Sequence, residues 1–281
     1  MTTVDMEAEY NNRARVPEHP AIIEGWQEDA EAYRSAQENA VLDQPYGPAP
    51  RNCYDLFPAS TEEKQPLLAL FIHGGYWQAL DKSAFSHMAR GLNAHGFDVA
   101  IANYSLCPAV AVGDIIAEMQ ELASHLYNTF SKKLLVTGHS AGGHLTAALM
   151  ATDWADRGLP ADLVSAGMPI SGLFELEPLV ETSINKAVGM TPETAREASP
   201  ILWPKPKSGH FRAVVGAKES AEYLRQSRML VETWTGPGLT GSLDIQDGAD
   251  HFTVINPLAD PQSALVAALC DLALAASPGV A

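Results

Sequence analysis

The chain has 281 residues, of which 46% are apolar, and a formal net charge of −16. A chain of this length and apolar content can bury a sizeable core as one α/β unit. The excess of carboxylates disfavours nucleic acid and anionic membrane surfaces, so neither is expected as a partner.

The cysteines and the first residues bear on compartment and cofactors. Cys53, Cys107 and Cys270 are far apart and form no CxxC pair, which favours reduced thiols in a cytoplasmic protein. The N-terminus lacks the apolar run of a secretion signal, and no window is long enough to span a membrane. The sequence leaves open whether the protein is a homodimer.

The first fifty residues are charged and helix-prone, with an amphipathic helix predicted over 22–40 and a proline-rich joint over 43–50. After this N-terminal helical extension, short apolar runs alternate with helical segments. The runs predict strands at 54–57, 67–72, 98–104, 132–138, 164–171, 211–217 and 242–248. Helices are predicted at 82–96, 112–130, 141–158, 220–234 and 260–276. This alternation favours a mostly parallel sheet with helices on both faces.

One interval, residues 172–210, interrupts the alternation. It is proline-rich and has helical fragments but no clear strand. An insertion of this size in a compact domain is usually functional, often as a lid over a site. We therefore predict a lid-like insertion here; an ordinary surface excursion is the alternative.

The segment Gly138-His139-Ser140-Ala141-Gly142 stands between a predicted strand and a predicted helix. This is the G-x-S-x-G pattern in the strand–turn–helix setting that a nucleophilic serine requires. The turn must be sharp and strained so that the hydroxyl of Ser140 points outward, and the flanking glycines leave room for neighbouring backbone. Ser140 is thus the candidate nucleophile.

A second glycine-rich segment, His73 to Trp77, follows the strand predicted at 67–72. A serine that attacks a carbonyl creates an oxyanion, which needs donors fixed in advance. The backbone N–H of Ala141, at the start of the following helix, is one candidate donor. The backbone N–H of Gly75 or Tyr76 is the other, because two glycines allow close approach.

These motifs resemble those of the α/β-hydrolases. His73-Gly74-Gly75-Tyr76-Trp77 is similar to the H-G-G-x-W motif of the kynurenine formamidase (arylformamidase) group. The segment from Tyr104 to Pro108 is similar to the Y-x-L-x-P segment of hormone-sensitive-lipase-like esterases. The resemblance covers roughly residues 50–275 and implies one α/β-hydrolase domain over 1–281, with a serine hydrolase activity and no metal or organic cofactor.

On this fold the serine is followed in the chain by an acid and then by a histidine. His251 comes after the last predicted strand and is the candidate base. Glu219 is the first carboxylate after the strand at 211–217 and matches the position of the family's acid, although the formamidases carry Asp there. Asp247 and Asp250, close to His251 in sequence, stay open as rival acids.

The substrate is less defined by the sequence. Trp77 is predicted to limit the acyl side of the pocket, with packing in the core as the alternative. Tyr76, Tyr104 and His139 are predicted to contact the substrate as well. An aryl formamide, of which N-formylkynurenine is the family's example, or a small ester fits such a site. A general carboxylesterase, or a hydrolase of a specific catabolic amide, is the main alternative, and a binding protein on a hydrolase scaffold is the third.

Overall fold

The computed structural model describes residues 4–277. An eight-stranded sheet runs in the order β1-β2-β4-β3-β5-β6-β7-β8. The pairs β1–β2 and β2–β4 are antiparallel. The other five pairs of neighbouring strands, from β4–β3 to β7–β8, are parallel. The strands are β1 Val41–Pro45, β2 Cys53–Phe57, β3 Leu68–Ile72, β4 Val99–Ala102, β5 Leu134–His139, β6 Val164–Ile170, β7 Gly209–Gly216 and β8 Leu239–Gln246. The predicted mostly parallel sheet is confirmed.

Helices cover both faces of this sheet. They are α1 Met6–Tyr10, α2 Asn12–Arg15, α3 His19–Ala36, α4 Arg90–Ala94, α5 Val112–Phe130, α6 Ala141–Ala151, α7 Asn185–Val188, α8 Pro192–Glu197, α9 Ala221–Trp234 and α10 Ala264–Ala276. Buried side chains of α5, α6 and α9 form the core on one face, and those of α3, α4 and α10 form the core on the other. Every residue of β3 is buried, as expected for a strand covered on both sides.

The N-terminal region differs from the prediction in one respect. The predicted joint at 43–50 includes part of β1, an edge strand with a pairing irregularity between Val41 and Gln44 and a positive φ of 53° at Asp43. Pro45 is tolerated there because an edge strand leaves one side of its backbone unpaired. The predicted extension is therefore not helical throughout, since its last part joins the sheet.

The helix predicted over 82–96 is also corrected. This stretch forms two 3-10 turns, Lys82–Ala84 and Ser86–Ala89, before α4. Phe85, at φ −128°, interrupts the helical path between the turns. A β-carbon on Gly91 would lie 2.4 Å from the carbonyl oxygen of Leu258, so the chain is pressed closely against the segment before α10.

The insertion at 172–210 carries α7 and α8 and packs onto the molecule. Leu173, Phe174, Leu176 and Leu179 are fully buried in the same core as α5 and α9. Its movement as a lid stays a prediction.

Within residues 4–277, none of the helices on its own has the length and apolar composition of a membrane span. Thr253–Ala259 and Ala264–Ala276 reach that length and composition only when they are taken as one segment, and the two are bent by 69° relative to each other.

Candidate active site

Ser140 occupies the turn between β5, which ends at His139, and α6, which begins at Ala141. Its backbone has φ +57° and ψ −115°, a combination that a residue with a side chain seldom adopts. A β-carbon on Gly142 would lie 1.9 Å from the carbonyl oxygen of Ile72, at the end of β3. The predicted sharp, strained turn is confirmed, and glycine at 142 is a steric requirement.

The segment after β3 passes directly beside this turn. A β-carbon on Gly74 would lie 3.0 Å from the β-carbon of Ser140 and 3.0 Å from the carbonyl oxygen of His139. Gly75, Tyr76 and Trp77 all have positive φ, at 111°, 49° and 56°. The two glycine-containing bends therefore share one region, at the carboxyl ends of neighbouring parallel strands.

His251 and Glu219 meet although they are 32 residues apart. The Nδ1 atom of His251 lies 2.6 Å from Oε2 of Glu219, and both side chains are almost fully buried. An ionised carboxylate can only accept hydrogen bonds, so Nδ1 carries the hydrogen when the His251 ring is neutral. Nε2 is then free to accept a hydrogen bond.

Two further donors hold the Glu219 carboxylate. Its Oε1 atom accepts hydrogen bonds from the backbone N–H of Gly216 at 2.7 Å and from the hydroxyl of Ser171 at 2.5 Å. Sequence reasoning missed Ser171. Its position directly after β6 was a usable signal, because the carboxyl ends of parallel strands meet at one edge of a sheet.

The rival acids make different contacts. Asp250 uses Oδ1 to accept from the backbone N–H groups of Phe252 and Thr253, which caps the turn after His251. Asp247 is exposed. Only Glu219, of these three, contacts the ring of His251.

His139 lies next to His251. Its Nε2–H donates to the backbone carbonyl of His251 at 2.7 Å, and the two ring centres are 4.7 Å apart. Burial is the main cause that holds the pKa of His139 well below its usual range, and the neighbouring imidazole of His251 acts in the same direction. His139 is thus a neutral ring that fixes the backbone of His251, besides lining the cavity.

Ser140, His139 and His251 open into one cavity of about 440 Å³. Gly75 and Tyr76 line it too. Aromatic side chains that the sequence did not indicate supply much of the remaining wall: Tyr10, Trp26 and Phe252. A cavity with this lining can hold an aromatic group beside the serine.

Two predicted substrate contacts do not reach this cavity. Trp77 is fully buried, with its ring edge-on to His144 at 5.0 Å between centres. Tyr104 is fully buried as well; it stacks on His73 at 4.4 Å and donates its hydroxyl hydrogen to the carbonyl of His73. The prediction of direct substrate contact is corrected for both, since they pack behind the glycine-rich loop.

The Tyr76 hydroxyl connects this loop to the N-terminal segment. It donates to the backbone carbonyl of Tyr10 at 2.5 Å and accepts from the Asn12 side-chain amide at 3.2 Å. The hydroxyl of Tyr223 lies 2.7 Å away and also accepts from Asn12 at 2.8 Å. Sequence reasoning missed this network, because its members come from three distant parts of the chain.

Three buried histidines lie away from the cavity, and they predict an acid-sensitive fold. Burial lowers the pKa of His73, His87 and His144 to about 4 in each case. An unfolded histidine binds its proton near pH 6.5, so the unfolded state holds more protons between pH 6.5 and 4 and stability falls as the pH falls through that window. Full protonation of each group would cost at most about 3.4 kcal/mol of stability, obtained as 2.5 pH units at about 1.36 kcal/mol each.

The test is urea denaturation at pH 7.5, 6.0 and 5.0. We expect the midpoint to fall at each step. His144→Gln should reduce the pH dependence, because glutamine does not titrate, whereas a proton added to Nδ1 of His144 would be buried with no hydrogen-bond partner among residues 4–277. Equal midpoints at pH 7.5 and 5.0 would contradict the prediction.

The chain is similar to several known proteins. The BD-FAE family profile matches residues 54–168. Kynurenine formamidase from Danio rerio is 29% identical over 227 residues, covering 78% of this chain and 77% of that protein. The Drosophila melanogaster enzyme of the same name is 27% identical over 221 residues, covering 74% of each.

A crystal structure from Silicibacter sp. TM1040, provisionally described as a thioesterase, is 32% identical. It covers 95% of this chain and 100% of its own, with a TM-score of 0.84. The chain belongs to the α/β-hydrolase superfamily. A Pyrobaculum calidifontis esterase, with a TM-score of 0.72 at 16% identity over 92% of this chain and 94% of its own, supports the fold alone.

Within the superfamily the protein is a formamidase- and esterase-like hydrolase of amide or ester bonds. In the part of the chain from 4 to 277, no group of three or more His, Cys, Asp or Glu side chains could hold a metal ion.

Proposed function

We propose that this α/β-hydrolase cleaves a small-acyl amide, an aryl formamide such as N-formylkynurenine, through Ser140, His251 and Glu219. One observation carries the proposal. Nδ1 of His251 lies 2.6 Å from the Glu219 carboxylate, and the same histidine lines the cavity into which Ser140 opens. A serine, a histidine and an orienting carboxylate are the groups that acyl transfer requires.

The reaction follows from these positions. Nε2 of neutral His251 takes the hydroxyl proton as Oγ of Ser140 attacks the carbonyl carbon, and Glu219 stabilises the imidazolium. The tetrahedral intermediate collapses, the C–N bond breaks, and His251 returns the proton to the departing amine. Water then attacks the acyl-enzyme with His251 again as base, which releases the acid and restores Ser140.

The developing oxyanion needs donors that are already oriented. The backbone N–H of Ala141 stands at the positive end of α6, which begins directly after Ser140. The backbone N–H groups of Gly75 and Tyr76 are the partners we assign, because this loop lies against the Ser140 turn and Tyr76 is tied to Tyr10 and Asn12. Losing one such donor typically costs about 3 kcal/mol of transition-state stabilisation.

The choice of an aryl formamide rests on two supports. Three relatives that each cover between 74% and 78% of this chain are kynurenine formamidases. The cavity wall includes Tyr10, Trp26, Tyr76 and Phe252, which suit an aromatic leaving group. A general carboxylesterase is the alternative that the same residues would serve, and the Silicibacter relative adds a thioester as a third bond type to test.

A substrate panel tests the proposal. The purified protein is assayed with matched aryl formamides, acetamides and butyramides, with the corresponding esters, and with an acyl thioester. We expect kcat/KM to fall at least about tenfold from formyl to acetyl, because a site selective for a small acyl group discriminates against one added methyl group by about tenfold or more. Ser140→Ala is the control.

Two outcomes would overturn the assignment in different ways. Equal rates for formyl and butyryl compounds would favour the general carboxylesterase. Equal rates for the wild type and Ser140→Ala would favour a binding protein without hydrolytic activity.

A further inference from the structure

The charge of the cavity lining differs from that of the whole protein. The chain has 34 acidic and 18 basic residues other than histidine. The side chains that line the Ser140 cavity include no Asp or Glu from the described residues, and Arg13 supplies the one formal charge apart from the histidines. In a protein this acidic, a cavity free of carboxylates with one guanidinium is suited to an anionic group.

The backbone at Arg13 is fixed relative to the site. Arg13 belongs to α2, whose neighbouring residue Asn12 is buried. The side-chain amide of Asn12 bonds the hydroxyls of Tyr223 and Tyr76, at 2.8 and 3.2 Å. Tyr76 in turn lies in the glycine-rich loop beside Ser140. Helix α2 therefore both contacts the glycine-rich loop, through Asn12, and carries the guanidinium of Arg13.

The guanidinium of Arg13 is available to a ligand. It is exposed, and within residues 4–277 it makes no hydrogen bond or ion pair with another side chain or carbonyl. Arg15, on the same helix, is also exposed but does not line the cavity, and its guanidinium donates to the carbonyl of Ala8.

The carboxylate at this rim, Glu7, is already engaged. It accepts from the backbone N–H and the hydroxyl of Ser183, both at 2.7 Å, and from the side-chain amide of Asn11 at 3.1 Å. Those hydrogen bonds hold the pKa of Glu7 below its usual value, so Glu7 stays ionised and does not act as a proton donor to a bound anion. Ser183 and Asn11 line the cavity too, and they fix the position of this negative charge at its edge.

We infer that Arg13 is a specificity-determining residue that binds a carboxylate on the leaving-group side of the substrate. The preferred substrates would then be amides whose amine portion carries an acidic group. A guanidinium presents a planar fork that matches a carboxylate, and such charge-assisted bonds are stronger than neutral ones. The inference rests on the proposed function for the identity of the bond that is cleaved. The binding of a carboxylate by Arg13 does not depend on it.

The test compares an aryl formamide that carries a carboxylate side chain with the same compound carrying a carboxamide there. We expect Arg13→Gln to lower the carboxylate-to-carboxamide ratio of kcat/KM about tenfold, mainly through KM, and Arg13→Lys to restore part of it. Arg15→Gln is the matched control and should leave the ratio within about twofold. Raising the salt concentration should reduce the wild-type preference, because the site is open to solvent.

A second readout separates this inference from the proposed reaction. Calorimetry with Ser140→Ala measures binding of the same two compounds without turnover. If the carboxylate compound binds more tightly than the carboxamide, and if adding Arg13→Gln abolishes this difference, the inference is supported even if neither compound is hydrolysed. An unchanged ratio in Arg13→Gln, or an equal change in Arg15→Gln, would overturn it.

Discussion

Replacing Ser140 or His251 with alanine is expected to lower kcat/KM for the best substrate by about 10⁵-fold. Ser140→Ala removes the atom that forms the acyl-enzyme. His251→Ala removes the base that takes its proton. Because the two act as one unit, the double variant should lose little more than either single variant. Residual activity above the uncatalysed rate is expected from the oxyanion donors and from substrate binding.

Glu219→Gln tests the acid separately and should cost about 10³- to 10⁴-fold. Glutamine keeps the shape of the side chain, and its carbonyl oxygen can still accept from Gly216 and Ser171. However, its amide cannot stabilise the His251 imidazolium, and its NH₂ group can impose the wrong tautomer on the ring. The loss should appear mostly in kcat, because Glu219 does not line the cavity.

The measurement is steady-state kinetics with circular dichroism to confirm that each variant is folded. Asp247→Asn and Asp250→Asn are the controls for the acid. Asp247→Asn should be close to wild type, and Asp250→Asn should show at most a moderate loss through the turn that it caps. If Asp247→Asn were the crippling change, Glu219 would lose its assigned role.

Much of the fold was predictable because its signals are local. Helix α5 occurs at 112–130 as predicted, since its apolar residues recur at helical spacing along one face. The turn at Ser140 was equally predictable. The G-x-S-x-G pattern stands between a predicted strand and a predicted helix, and its glycines are needed where the start of α6 comes close to the backbone of β3. Such patterns involve neighbours in the chain and need no knowledge of distant contacts.

The parts that were missed depend on contacts between distant residues. Asn12 reaches Tyr223 across 211 positions, and Tyr10 reaches Glu222 across 212. Ser171 reaches Glu219 across 48. Trp77 was assigned to the substrate because it follows the glycine-rich loop in sequence, yet its positive φ turns it into the core. The direction of a side chain after a strained bend is set by tertiary packing, which spacing alone does not encode.

Gly142→Ala is expected to lower the melting temperature by about 10 °C or to prevent folding. The new β-carbon would lie 1.9 Å from the carbonyl oxygen of Ile72, 2.6 Å from its carbon and 2.8 Å from the carbonyl oxygen of His73. All three atoms belong to the backbone of β3 and the loop after it, so no side-chain rotation relieves the contact. Moving α6 away would open the core, which costs several kcal/mol.

Gly113→Ala is the matched control, because Gly113 is an exposed helical glycine with nothing within 4 Å of its added β-carbon. That change should raise the melting temperature by about 2 °C, since alanine favours the helix by up to ~1 kcal/mol. A wild-type melting curve for Gly142→Ala would mean that α6 and β3 are farther apart than described. In that case the loop at Gly75 would also stand too far from Ser140 to share a carbonyl with it, since the same close approach positions both.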